Sequence, residues 1–265
     1  EQSTSSESVS VTDCPATASS RSPSSVTMRS TVVVLPLGST RTASPGLMPA
    51  YAKLADHKIE AVSVPFKDKS IPAWFHLPPG YSGGKIPVII AVPGMDSFKE
   101  STIALANDRW LQRGMAVLAI DGPGQYESPL LGVYVSMQNW IDAAPVLVDW
   151  LTKRPEVDGA KIGVTGVSFG SFFGTILAAS EPRIAATAVM STCLEPGCHT
   201  IFEEASPTFK KRFMWMSNYT DEAKFDAFAR TLTWEGHVEK IRNPYLVVAG
   251  EAAGEALDVD IAAER

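Results

Sequence analysis

The stretch that most constrains this chain is KIGVTGVSFGSFFG, residues 161–174. It reads as a short apolar strand, then Gly166-Val167-Ser168-Phe169-Gly170, then a helix of small residues. Glycines two positions either side of a serine let a strand and a helix pack closely around a strained turn, which pushes the serine out at the top of a sheet. The following helix brings its amino-terminal amides and positive dipole end to the same place. Gly-x-Ser-x-Gly alone is a weak pattern and a plain strand–turn–helix can share it. With strand before and helix after, it predicts Ser168 as a nucleophile.

The elements around it follow from periodicity. LMPAYAKLAD (47–56) is a short helix candidate. KIEAVSVPF (58–66) and IPAWFHLP (71–78) alternate and flank a charged turn, as an antiparallel hairpin does. IPVIIAVPG (86–94) and MAVLAIDGPG (115–124) are apolar runs typical of buried strands. Helices are predicted over about 101–113, stopping at Gly114, over 137–154 despite Pro145, and over 169–180. Strands are predicted at 183–192 and 243–251. Strand–helix alternation implies an α/β class with a mostly parallel sheet and helices on both faces. The rhythm breaks over 194–240, too long for a connection and rich in Phe, Trp and Met. That segment is expected to be a helical cap over the strand ends where α/β sheets bind ligands.

A serine nucleophile needs oxyanion donors and a base. The loop VPGMDSFKE, after the 86–92 strand, can supply one donor: Gly94 allows a sharp turn that aims the Met95 amide at the site. The Phe169 amide is the second. The same loop also reads as a tight turn with Asp96 or Ser97 capping the next helix. The turn DGPGQYES (121–128) is a structural need first, and a pocket floor second. Histidines occur at 57, 76, 199 and 237. The first two sit before and within the hairpin, and the last flanks the cap. His199 is the base candidate, with a surface role as its alternative. Glu251, Glu255, Asp258 and Asp260 are carboxylates near where an acid belongs, and a solvated tail helix accounts for them equally well. Pocket-wall candidates are Asp96, Phe202, Phe209, Phe213, Trp215 and Met216. Aromatics at helical spacing are also ordinary core residues.

Composition excludes other classes. A formal charge of −6 and a pI near 5.3 argue against nucleic acid or an anionic membrane as partner. No apolar run reaches the roughly 18 residues needed to span a bilayer. Three cysteines, Cys14, Cys193 and Cys198, make no disulfide framework and suit a reducing, cytoplasmic compartment. The Cys193–Cys198 spacing is wrong for a zinc site, so no metal is expected. No three-glycine fingerprint follows the first strand, which excludes a dinucleotide module. Of the first 45 residues, 20 are Ser or Thr, so 1–46 is expected to be a disordered tail. Its arginines and lack of acid over 14–55 also resemble an organelle transit peptide.

PGMDSFKE, AIDGPGQYES, GVTGVSFGS and IRNPYLVVAGE, in this order, resemble the α/β-hydrolase superfamily. More narrowly they resemble the branch of the fermentation–respiration switch esterase-like proteins, the pseudooxynicotine hydrolases and the fungal polyketide-shortening hydrolases. SPTFKKRFMWM resembles that branch's cap. The resemblance spans about 47–251. It implies hydrolysis of an ester, or of a carbon–carbon bond beside a ketone, through an acyl-enzyme on Ser168 and without a cofactor. The substrate would be a small apolar or aromatic acyl compound, and a homodimer is allowed. The family's acid position falls on Ala253, and the expected last strand, helix and histidine loop do not follow. A truncated or misframed hydrolase is therefore expected, with the domain over 47–265 and the strand near 244–250 left as an apolar edge. The alternative is a hydrolase-fold protein that binds without catalysis.

Overall fold

Alternate residues of the central strands belong to two different cores. The computed structural model describes residues 51–106, 109–190, 199, 201–204 and 206–248, all within the unit Arg41–Arg265. In β3 (Ile86–Val92) and β4 (Ala116–Ile120), Val88, Ile90, Val92, Ala116, Leu118 and Ile120 join the larger core. Ala91, Val117 and Ala119 join a smaller one with Ile103 and Leu111. Since successive side chains of a strand point to opposite faces, the sheet is covered on both. Burial on both faces accounts for the near-continuous apolar runs in these strands.

The sheet has seven strands in the order β1-β2-β4-β3-β5-β6-β7. β1 (Ile59–Phe66) and β2 (Lys69–His76) form the expected hairpin, and β2 runs antiparallel to β4. All later pairs are parallel: β3 with β4 and β5 (Val157–Val167), β5 with β6 (Ile184–Met190), β6 with β7 (Tyr245–Val248). This is the α/β-hydrolase arrangement.

Three helices cover the sheet. α1 (Lys99–Ala106) packs over β2, β3 and β4, while α2 (Met137–Thr152) and α3 (Phe169–Ser180) pack on each other and on β5. The Ser136 side chain caps α2 by accepting from the Asn139 N–H, and Pro145 sits inside that helix without ending it. The predicted 101–113 helix differs in the structure. α1 is shorter, and a separate 3-10 turn, Leu111–Arg113, is closed by Gly114 at φ 74°. Gly114 is a helix stop as expected, but of that turn. The residue before α1 is Phe98, so neither Asp96 nor Ser97 takes the cap position.

The described part of the 194–240 segment holds turns and three helices, α4 (Ile201–Glu204), α5 (Pro207–Met216) and α6 (Glu222–Ala229). α6 starts at Asp221, whose side chain accepts from the Lys224 N–H. The ends predicted as tails lie outside the described residues. Among the described residues, Leu246 and Val248 of β7 are 57% and 48% exposed, so the outer strand shows an apolar face. No described helix is long and apolar enough to cross a membrane.

Candidate active site

Ser168 sits between the end of β5 and the start of α3, exposed, with φ 54° and ψ −120°. That is a costly conformation for a residue with a Cβ. It is held by the Ser168 N–H donating to the Met190 carbonyl at 3.0 Å, and by the Ser168 carbonyl. That carbonyl accepts from the Ser171 N–H at 2.8 Å and the Ser171 hydroxyl at 2.6 Å. The flanking glycines are required by space. A Cβ at Gly166 would fall 1.9 Å from the Gly170 carbonyl oxygen, and one at Gly170 would fall 2.1 Å from that of Val92. Strand, turn and helix are therefore closer than any side chain permits, as the sequence pattern predicts.

The loop after β3 reaches the serine. A Cβ at Gly94 would lie 3.7 Å from the Ser168 Cβ, so the backbone that leads into Met95 passes at contact distance. The Ser97 N–H donates to the Gly94 carbonyl at 3.1 Å and closes a turn around Met95 and Asp96. Phe169 is the first residue of α3, where amides lack intrahelical acceptors. Met95 and Phe169 thus lie on two backbone segments that converge on Ser168.

Below this loop lies a buried charge cluster that sequence reasoning missed. The Lys99 ammonium contacts Asp121 at 2.9 Å, Glu127 at 2.6 Å and Glu100 at 3.0 Å. The Lys99 N–H also donates to Asp121 at 2.8 Å. Lys99 is 4% exposed and Asp121 is fully buried. Burial works against the Lys99 charge, but Asp121, Glu127 and Glu100 outweigh it and hold its pKa above the ordinary lysine value. Burial pushes Asp121 up to about 7, against the pull of Lys99. The signal was present in DSFKE and DGPGQYES, whose acids and lysine alternate with turn residues, but nothing in one sequence shows that the two segments touch.

The predicted wall residues divide. Phe202 and Phe213 are buried, with ring centroids 4.6 Å apart, and each packs on Phe225. The Phe213 ring lies 5.5 Å from that of Phe169. Phe209 is partly buried beside Phe202, and Met216 is buried. Trp215 is 46% exposed. Asp96 is exposed and forms an ion pair with Arg212 of α5. α5 is thus fastened at adjacent positions, Arg212 to the loop of Met95 and Phe213 to the residue after Ser168.

The predicted acid–base residues are not brought together. Glu251 and Asp258, with Glu255 and Asp260, lie outside the described residues. His199 is partly buried, and among the described residues no hydrogen bond joins a histidine to the Ser168 hydroxyl. His76 pairs with Val117 near the start of β4, whereas Ser168 follows the end of β5. It therefore lies at the opposite end of the sheet. There the His57 Nε2 is 3.1 Å from the His76 Nδ1, and Asp56 lies 3.0 Å from the His57 Nδ1. No group of three or more His, Cys, Asp or Glu among the described residues is arranged to hold a metal.

This sheet order, with a strained serine at the carboxyl end of β5, defines the α/β-hydrolase fold. The model of the family described as X-Pro dipeptidyl-peptidase (S15 family) matches residues 69–203, about half of the chain, and the chain belongs to that family. It is 29% identical over 185 residues to the "Alpha/beta hydrolase xenA" of Xenoacremonium sinensis, covering 66% of this chain and 43% of that protein. It is 35% identical over 120 residues to the 2,6-dihydropseudooxynicotine hydrolase of Paenarthrobacter nicotinovorans, covering 44% of this chain and 30% of the relative. The solved structure of a 2,6-dihydroxy-pseudo-oxynicotine hydrolase superposes with a TM-score of 0.67 at 24% identity, over 77% of this chain and 56% of the other. The chain spans under half the length of these curated relatives.

Proposed function

We propose that this chain is a serine hydrolase acting on an ester, or on a carbon–carbon bond beside a ketone, through an acyl-enzyme on Ser168. The observation that carries this reading is the conformation of Ser168, a serine held at φ 54° and exposed at the end of a buried strand. Backbone strain of this kind clusters at active sites, where the surrounding structure holds it in place. In the reaction, the Ser168 Oγ adds to an acyl carbonyl and gives up its proton to a base. The carbonyl oxygen becomes an oxyanion between the amides of Met95 and Phe169. Collapse breaks the acyl bond, and the protonated base gives its proton to the leaving alkoxide of an ester, or to the carbanion beside a ketone. Water, deprotonated by the same base, then adds to the acyl carbon, and the base returns that proton to the Ser168 Oγ as the acid leaves. The base candidates are those named above, His199 with Glu251 or Asp258.

The substrate class is a small acyl compound. The aromatic insertion over Phe169 favours an apolar or aromatic acyl group, with Asp96 and Trp215 at its exposed margin. The family description favours a second chemistry on the same serine, release of an X-Pro dipeptide.

The test is labelling of the full chain with a fluorophosphonate, read by intact mass and peptide mapping. It is followed by turnover of p-nitrophenyl esters and of Gly-Pro-p-nitroanilide. A stoichiometric adduct on Ser168, lost in Ser168→Ala, is expected, with ester turnover exceeding anilide turnover. No adduct on a folded chain overturns the nucleophile reading and leaves the fold a binding role.

A further inference from the structure

We propose that Gln125 is a positioning residue for the backbone turn that carries Met95. Its side chain is 1% exposed. Its Nε2 donates to the Pro93 carbonyl at 2.6 Å, while its Oε1 accepts from the Gly122 N–H at 3.0 Å. The same Pro93 oxygen would lie 2.7 Å from a Cβ at Gly170. The peptide entering Gly94 is therefore gripped between the Gln125 amide and the bare backbone of the serine elbow.

Four residues of loop, Gly94 to Ser97, then turn on the Ser97-to-Gly94 hydrogen bond. At the far end the Lys99 N–H donates to the Asp121 carboxylate at 2.8 Å. Both anchors come from one turn, residues 121–125. The loop is suspended from that turn, and Gln125 holds the end nearer Ser168.

A buried carbonyl that loses its donor must move to find another or stay unsatisfied. Movement displaces the Met95 amide, and an oxyanion donor that is misplaced by about 1 Å loses most of its effect; an unsatisfied carbonyl loosens the same peptide. Gln125 touches no reacting atom and acts through the Met95 amide, which meets the oxyanion only as it forms, so the effect falls on kcat rather than on KM. The catalytic consequence rests on the proposed nucleophilic role of Ser168. The mechanical one does not.

The test compares Gln125→Glu with Ser128→Ala in the full chain. Glu keeps the shape and the acceptor for Gly122 and, where ionised, replaces the donor to Pro93 with a carboxylate oxygen; Gln125→Met, which can neither donate nor ionise, is measured beside it because a buried carboxyl that takes up a proton would donate in place of the amide. Ser128→Ala removes an equally buried bond to the backbone of the anchoring turn, from the Ser128 hydroxyl to the Asp121 carbonyl, while leaving in place the Asp121 carboxylate that accepts from Lys99 and the Gln125 bond to Pro93. Amide hydrogen exchange of peptides covering 93–98 is measured with fluorophosphonate labelling and p-nitrophenyl butyrate kinetics. Gln125→Glu is expected to speed exchange of 93–98 about tenfold, and to lower labelling and kcat by about tenfold with KM nearly unchanged. Ser128→Ala leaves the 93–98 exchange as in the wild type. Equal exchange of 93–98 in the two variants overturns the proposal. If wild-type Ser168 takes no label, the nucleophile reading falls while the exchange comparison still decides the role of Gln125. Gln125→Met, uncharged and of similar length, gives the same comparison where the carboxylate prevents folding.

Discussion

The ring of Phe213, on the helical insertion, lies 5.5 Å from the ring of Phe169, the residue that follows Ser168. Phe169 in turn packs on Phe173 at 4.6 Å, and Phe213 on Phe202 at 4.6 Å. The insertion is thus joined to the elbow helix by tilted rings, each pair contributing beyond the area that it buries. Phe213→Ala opens a cavity at that junction, since the side chain is 5% exposed. It is expected to cost about 3–5 kcal/mol, measured by urea unfolding. Proteolysis within 201–216 should become faster than cleavage elsewhere. Equal proteolysis across the chain would show that the insertion is not seated through this ring.

The strain at Ser168 has a measurable size. Ser168→Gly and Ser168→Ala both remove the hydroxyl, but only glycine adopts φ 54°, ψ −120° without cost. Glycine also loses more entropy on folding, which offsets part of the relief. The glycine variant is expected to be more stable than the alanine variant by about 1 kcal/mol. Thermal and urea unfolding of the pair check it, and both variants should lose the fluorophosphonate adduct. A less stable glycine variant would mean that the turn is not strained.

The elbow was legible in the sequence because it rests on hard contact. Two glycines are needed wherever a strand end and a helix start touch at 1.9 Å and 2.1 Å of where a Cβ would go, and no tertiary context alters that. The hairpin was legible through period-two alternation, and the insertion through its length without a strand. The wall residues were not, because helical spacing separates a core face from a solvent face but does not say which core. Phe213 and Trp215 are two positions apart on α5, so one is buried and the other exposed. The Lys99–Asp121 pair was illegible for another reason. Its members are 22 residues apart and meet only because β3 and β4 are neighbours in the sheet, a fact of strand order rather than of local pattern.

His76 makes the fold sensitive to acid. Burial, then the neighbouring His57, lower its pKa from 6.5 to about 3, and its Nε2 is buried without a partner. The folded value is depressed, so the unfolded chain takes up the proton first. The contribution of His76 is fully present above about pH 6.5 and is lost as pH falls toward 3. At 1.4 kcal/mol per unit, the full loss is roughly 5 kcal/mol. Asp121 titrates in the same range with the opposite sign. The informative quantity is therefore the stability difference between wild type and His76→Leu, in which the Asp121 contribution cancels. That difference should shrink steadily from pH 7 to pH 4 in urea unfolding. A constant difference would place the titration elsewhere.

Removing Lys99 exposes what its charge does. Asp121 is fully buried, and Lys99 supplies its two closest donors, the ammonium at 2.9 Å and the backbone N–H at 2.8 Å. Lys99→Met keeps the backbone donor and much of the packing but leaves the carboxylate without a counter-charge. Breaking one member of such a pair costs about 3–5 kcal/mol. The penalty also acquires a pH dependence. The folded pKa of Asp121 is already raised to about 7 and rises further without Lys99. A raised folded pKa gives stability that is present below the unfolded value, near 3.8, and is lost as pH climbs through the folded one. Lys99→Met should therefore run parallel to wild type up to about pH 6 and fall progressively further behind it above about pH 7. Adding Asp121→Asn should remove most of that slope, since Asn keeps an acceptor for the Lys99 N–H and carries no charge. A slope that persists in the double variant would assign it to Glu127 or Glu100 instead.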